Sequence, residues 1–152
     1  MAIEQIPTVG ALFIAPLIQT ALAASKLRLI ITGYTPVPGD TLADLVAVEA
    51  TFTGYTTGGY ALTTWNTPVI DPAGGVSITS LQVQPAIASP YTVGNTLGGW
   101  FLVDATGNLV ADGLFDTPIP LTQAGDGFPI TVKLYFGTTN QLVGASVYGG
   151  AQ

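Results

Sequence analysis

Two pairs of carboxylates lie four residues apart, Asp40 with Asp44 and Asp112 with Asp116. Glycoside hydrolysis needs two carboxylates about 5–10 Å apart across a cleft. A plainer role fits each pair. Asp40 or Thr41 caps a helical turn over Leu42–Val46 with Asp44 in its first turn, and Asp112 and Asp116 end a strand. Asp104-Ala-Thr-Gly-Asn108 offers oxygen ligands to calcium, but it lacks the D-x-D-x-D-G spacing and bidentate glutamate of a calcium loop. A hairpin turn accounts for it. Asp126 in AGDGF reads as a turn aspartate. The glycine-rich run Gly94-Asn95-Thr96-Leu97-Gly98-Gly99 has no lysine and opens no helix, so it does not read as a phosphate cradle. Tyr55, Tyr60, Trp65, Tyr91, Trp100, Phe101 and Tyr135 suit a sugar-binding platform, or, more simply, packing in the core or between subunits.

The composition narrows the chemistry further. The 152 residues contain no cysteine and no histidine, which removes disulfides, thiol nucleophiles, and the commonest general base and metal ligand. Three basic residues, Lys26, Arg28 and Lys133, stand against nine acidic ones for a net charge of −6. A phosphate-tracking groove cannot be assembled from them, so nucleic acid is not an expected partner. No catalytic residue, metal or cofactor is expected, and enzymatic acid–base chemistry would rest on carboxylates and tyrosines alone. Hydrophobic residues make up 48% of the chain and charged ones 8%. A folded chain of this mass exposes roughly 7,200 Å², so its charges are spread at about one per 600 Å² against about one per 190 Å² for average composition. Either threonine, glycine and asparagine wet that surface, or other subunits cover much of it. The second reading is preferred.

The elements that position these residues begin with Val9–Ala24, VGALFIAPLIQTALAA. A signal peptide would want a basic start, and MAIEQIP has none. A membrane span would want about 20 apolar residues without a central proline. The preferred reading is a short helix starting at Pro16 behind an extended arm over residues 1–15. Leu17, Ile18, Ala21 and Leu22 then form one stripe. A signal or anchor sequence is the alternative, which would make this a secreted or membrane-anchored surface protein.

From Lys26 onward the pattern is strands and turns. Leu27–Thr32 and Ala47–Tyr55 read as strands, the second with Val48, Ala50 and Phe52 on one face. Tyr60–Trp65 and Val76–Gln84 follow, the latter with a phase slip between Ile78 and Leu81 that suggests a bulge. Gly99–Asp104 and Leu109–Phe115 form the clearest hairpin. Asp116–Gly127, with Pro118 and Pro120, reads as a loop. Phe128–Gly137 is a closing strand with Thr131, Lys133 and Tyr135 on its wetter face, and Leu142–Tyr148 is a possible extra strand. Trp100–Val103 is apolar on both faces, so one side packs on the core and the other meets a second sheet or another chain. The expected architecture is mainly β: an antiparallel β-sandwich or jelly-roll-like domain over 26–152, preceded by an arm and short helix over 1–25.

Four stretches carry a resemblance. LRLIITGYTP presents Leu27, Leu29, Tyr34 and Pro36 in an L-x-L-x-x-x-x-Y/F-x-P pattern. LVAVEATFTGY runs from Leu45 to Tyr55, and GWFLVDATGNLVADGLF with GDGFPITVKLYFG closes the domain. Over about residues 16–137 the chain resembles a small all-β family common in tailed-bacteriophage virion gene clusters, labelled virion structural, head-decoration or fibre-like proteins. Thr32-Gly33 stands where the family has an asparagine. These are packing and turn patterns without catalytic residues.

The resemblance implies a non-enzymatic phage virion component in the bacterial host cytoplasm and then the particle. A capsid decoration or cement protein is favoured, one that forms a homo-oligomer, preferably a trimer, and binds the major capsid protein without nucleic acid or membrane. The alternative is a tail, fibre or adhesin-type module that reads glycans through residues such as Tyr60 and Trp65. On the decoration reading, Leu12, Phe13, Ile14, Leu17, Ile18 and Leu22 dock, Trp100 anchors, and deleting residues 1–24 leaves the β-domain folded.

Overall fold

The apolar N-terminal run carries more helix than its proline suggests. In the computed structural model, which describes residues 8–70, 75–85, 88, 96–121, 124, 128–136 and 142–149, helix α1 spans Thr8–Ala21 with Pro16 inside it. The expected start at Pro16 and extended arm through residue 15 are therefore corrected over the described residues. Ala11, Ala15 and Leu22 are buried, with Ile18 packed against them, at the 4-3-4 spacing of one helical stripe. That anchoring reaches well upstream of the proline. Pro16 itself sits on the exposed side, where its missing N–H deprives only the Leu12 carbonyl of an intrahelical donor. After the helix, Leu22 accepts a bond from Ser25 N (2.9 Å). The Trp65 indole donates to the same carbonyl (3.2 Å), and Gln19 donates to Trp65 O (2.7 Å). The helix packs against strand β4 (Val76–Thr79).

Two antiparallel four-stranded sheets follow. The first has the order β2-β1-β5-β6, from Tyr60–Leu62, Ser25–Ile31, Thr96–Val103 and Leu109–Pro120. The second has the order β3-β4-β7-β8, from Val69–Ile70, Val76–Thr79, Ile130–Phe136 and Leu142–Gly149. A β-sandwich or jelly roll was expected, and the structure overturns it. The architecture mixes helices with two sheets that close into neither a sandwich nor a barrel. A Greek key needs three consecutive hairpin-connected strands in one sheet, and neither order contains three consecutive strands. Each sheet instead joins two antiparallel pairs of sequence-adjacent strands through their inner members, β1 to β5 and β4 to β7.

Other boundaries moved for local reasons. Helix α2 (Leu42–Ala47) begins with a capping box in which Thr41 receives Asp44 N and the Asp44 carboxylate receives Thr41 N, as Thr41 and Asp44 suggest in sequence. Ala47–Tyr55 is not a strand. Its alternation is real, since Ala50 and Phe52 are buried and Thr51 and Thr53 exposed, but the backbone pairs only at Glu49 with Ile30. It extends the β1 edge through Ile31 N to Val48 O (3.2 Å) and Ala50 N to Leu29 O (2.8 Å). Strand β6 continues through Pro118 and Pro120, where a loop was expected. It is an edge strand, and proline's missing donor is tolerated on an edge.

Leu27, Leu29, Trp100, Leu102, Val76, Ile78, Ile130, Val132 and Leu134 form one core cluster with the α1 stripe. The opposite face of β1 and β5 carries a second, smaller core of Ile30, Phe101, Val103 and Leu45, packed by Tyr34 and Leu42. Both faces of Trp100–Val103 are thus covered by this chain's own residues rather than by a partner. Gly113 lies under the Trp100 ring, where an added Cβ would sit 3.1–3.2 Å from three indole atoms.

Candidate functional site

Helix α1 carries apolar residues on the side that its own fold does not cover. Val9 is 79% exposed, Phe13 74% and Leu17 60%, with Leu12 at the exposed margin and Ile14 and Ile18 half-buried. Successive residues turn by about 100°, which sets Val9, Phe13 and Leu17 roughly opposite Ala11, Ala15 and Ile18. Helices that are apolar all round are normally enclosed; this one is enclosed on one side. Strand β3, beside β4, adds exposed Val69 and Ile70. Two of the expected docking residues are elsewhere: Leu22 and Trp100 are 2% and 1% exposed and belong to the core. Val9 was not among the residues singled out from sequence; its place on the exposed side follows only once the helix is seen to start at Thr8.

A second assembly lies on the outer face of the first sheet. Arg28 and Glu49 form an ion pair with side chains 13% and 5% exposed. Arg28 Nε donates to Glu49 Oε1 (2.9 Å) and Nη2 donates to Oε2. Tyr55 OH (2.6 Å) and Gly58 N (3.2 Å) donate to Oε1, while Tyr55 OH accepts from Leu29 N (3.2 Å). Burial alone would raise the Glu49 pKa. The hydrogen bonds from Arg28 and Tyr55, the Arg28 charge and the Gly58 N–H outweigh it, and the carboxyl is held below its ordinary value. Burial, then the Glu49 contact, pushes the Tyr55 phenol strongly upward. The guanidinium lies 5.0 Å from the Phe101 ring centroid, within cation–π range. Glu49 and Tyr55 are the E and Y of EATFTGY, so that stretch acts here as a clamp between the loop and β1. The sequence signal was a lone arginine inside the apolar strand LRLII.

Asp44 takes the first-turn place expected of it, whereas Asp112 and Asp116 lie inside β6 rather than at a strand's end. Asp44 is spent on its capping box, which lowers its pKa through the Thr41 hydroxyl and then the Thr41 N–H. Asp112 instead feels Asp40: burial first and that neighbouring charge second raise its pKa. Tyr34, hydrogen-bonded to Asp40, is raised as well. Asp104 closes the β5–β6 hairpin, accepting at Oδ1 from Thr106 N (2.9 Å), Thr106 Oγ1 (2.8 Å) and Asn108 N (2.8 Å) and at Oδ2 from Asn108 Nδ2 (2.9 Å). The bonds from Asn108 and then Thr106 hold its carboxyl far below the usual range. No group of three or more metal-ligating side chains occurs among the described residues.

Of the aromatics, Trp65 is buried and Tyr60 half-buried. Tyr55 stacks edge-on to Tyr60 (centroids 5.5 Å) and tilts against Phe52 (5.3 Å). Gly98 and Gly99 lie within β5, where the strands approach closely. Gly94, Asn95, Tyr91 and Asp126 lie outside the described residues. No described helix is long and apolar enough to cross a membrane. Comparison with known protein families, with curated proteins and with solved structures finds no match.

Proposed function

We propose that this chain is a non-enzymatic structural protein that assembles with copies of itself through the exposed apolar side of α1. The observation that carries the reading is the exposure of Val9, Phe13 and Leu17 in a chain with so few charges. Fully burying such a side chain is worth about 1.5–3 kcal/mol, so covering these three from their present exposure is worth about 1–2 kcal/mol each. That gives roughly 6–12 kcal/mol for two ridges, against an association cost of about 4–15 kcal/mol. Pairwise association is therefore weak, and many copies on a lattice gain from effective concentration. Such energetics suit a decoration or cement protein. The resemblance to phage virion components supplies the setting, a trimer on the major capsid protein of a particle assembled in a bacterial cytoplasm.

Deleting residues 1–24 is a poor test, because it also removes Ala11, Ala15 and Leu22 from the core. A photoreactive benzoylphenylalanine at position 13 is cleaner. Irradiation of the full chain should cross-link one copy to another within residues 9–17 or at Val69–Ile70. Products confined to single chains would contradict the proposal.

A further inference from the structure

Two of the three cations of this acidic chain line one cavity. It has a volume of about 360 Å³ and lies between Leu42 of α2, Gly58, and the Asp104–Gly107 turn, with Lys26, Arg28, Ala24, Val103 and Ala105 completing its walls. We propose that this cavity is a binding site for a carboxylate carried on a short apolar stem.

The cations differ in what they already hold. Arg28 spends Nε and Nη2 on Glu49, and its side chain also interacts with Tyr55, so it brings positive charge to the wall but is already paired. Lys26 is exposed and has no ion pair among the described residues. Asp104, the acid in the wall, has both oxygens engaged by its own turn. Lys26 and Arg28 therefore line a space whose one acidic residue, Asp104, is committed to its own turn. The charge balance selects a single negative charge. With Glu49 and Asp104 close by, a phosphate dianion would meet more repulsion than Lys26 offsets, whereas a carboxylate matches one free ammonium.

The remaining walls select the stem. Leu42, Val103, Ala24 and Ala105 are apolar, and the volume is at the small end of ligand pockets. Gly58 and Gly107 adopt φ of +92° each, with open space where a Cβ would stand, so no side chain closes the rim. A free short-chain acid and a glutamate side chain of a protein partner share this chemistry.

The test is amide NMR of the full chain, titrated with butyrate, butyramide, inorganic phosphate and a glutamate peptide blocked at both ends. Butyrate or the peptide should shift the Gly58, Ala105 and Gly107 resonances saturably, the tighter of the two naming the source. Lys26→Gln should weaken binding at least about tenfold and Lys26→Arg restore it to within about threefold, with resonances elsewhere unmoved. The proposal is overturned if neither carboxylate moves those resonances, if butyramide matches butyrate, or if phosphate binds more tightly than both. Sedimentation is not involved, so failure here leaves self-association untouched.

Discussion

Glu49→Ala removes the acceptor shared by Arg28 Nε, Arg28 Nη2, Tyr55 OH and Gly58 N. Breaking a buried pair by deleting one partner costs about 3–5 kcal/mol. The Arg28 side chain is 13% exposed and borders an open cavity, so water recovers part of its solvation. Tyr55 and Gly58 lose one neutral donor contact each, about 1 kcal/mol apiece at most. The expected loss is about 3 kcal/mol in urea unfolding, or about 6–12 °C in Tm for a domain of this size. Glu49→Gln keeps one acceptor oxygen and should lose about 2 kcal/mol. Replacing both charges, Arg28→Met with Glu49→Leu, should recover much of the loss, because the cost comes from a stranded guanidinium.

The pH dependence of stability gives an independent reading. Glu49 binds its proton less tightly folded than unfolded, so its contribution is complete above the ordinary value of 4.5 and is lost as pH falls through the depressed folded value. Asp44 and Asp104 act in the same direction, and Asp112 in the opposite one, so Glu49→Gln should flatten the acid limb without abolishing it. A Glu49→Ala loss below about 1 kcal/mol, or a double variant no better than the sum of its parts, would refute the clamp.

Gly113→Ala should destabilise by about 1–3 kcal/mol, because the new Cβ presses on the Trp100 ring. Gly99→Ala should cost more, since its Cβ would lie 2.4 Å from the backbone oxygen of Gly113; equal unfolding midpoints for the two variants would contradict this. Burial pushes Tyr60 up to about 12, and Tyr55 lies higher still, so ultraviolet titration should show a step near 12 that Tyr60→Phe removes, with stability falling as pH rises from the ordinary 10 through that value; a titration curve that Tyr60→Phe leaves unchanged near 12 would contradict it. Calcium should leave Tm unchanged, because the donors of Thr106 and Asn108 occupy Asp104; a rise that EDTA reverses would show an ion site there.

What the sequence disclosed was local chemistry. Thr41 and Asp44 announced their cap, ATGN its hairpin, and the alternation of Ile130, Val132 and Leu134 the buried face of β7. Sheet order was hidden because β1 to β5 and β4 to β7 are long-range pairings, invisible to periodicity. Pro16 read as a helix start and Pro118 and Pro120 as loop residues, yet each lies inside an element at a position where a missing N–H is tolerated. The second apolar side of Trp100–Val103 read as meeting another sheet or another chain, because α2, only six residues long, gave little hint that it would cover Phe101 and Val103. In the candidate sites, apolarity of the N-terminal run was evident, but which side faced solvent followed only from Ala11 and Ala15 entering the core. The pairing of Arg28 with Glu49 depends on a loop folding back across the β1 edge.

Sedimentation equilibrium of the full chain beside Phe13→Gln/Leu17→Gln tests the central claim most directly. Wild type should gain mass reversibly as its concentration rises from micromolar to millimolar, while the double variant, equally folded by circular dichroism, stays at the 15.5 kDa of one chain. A wild type that remains a single chain throughout, or a variant that associates just as well, would contradict assembly through α1.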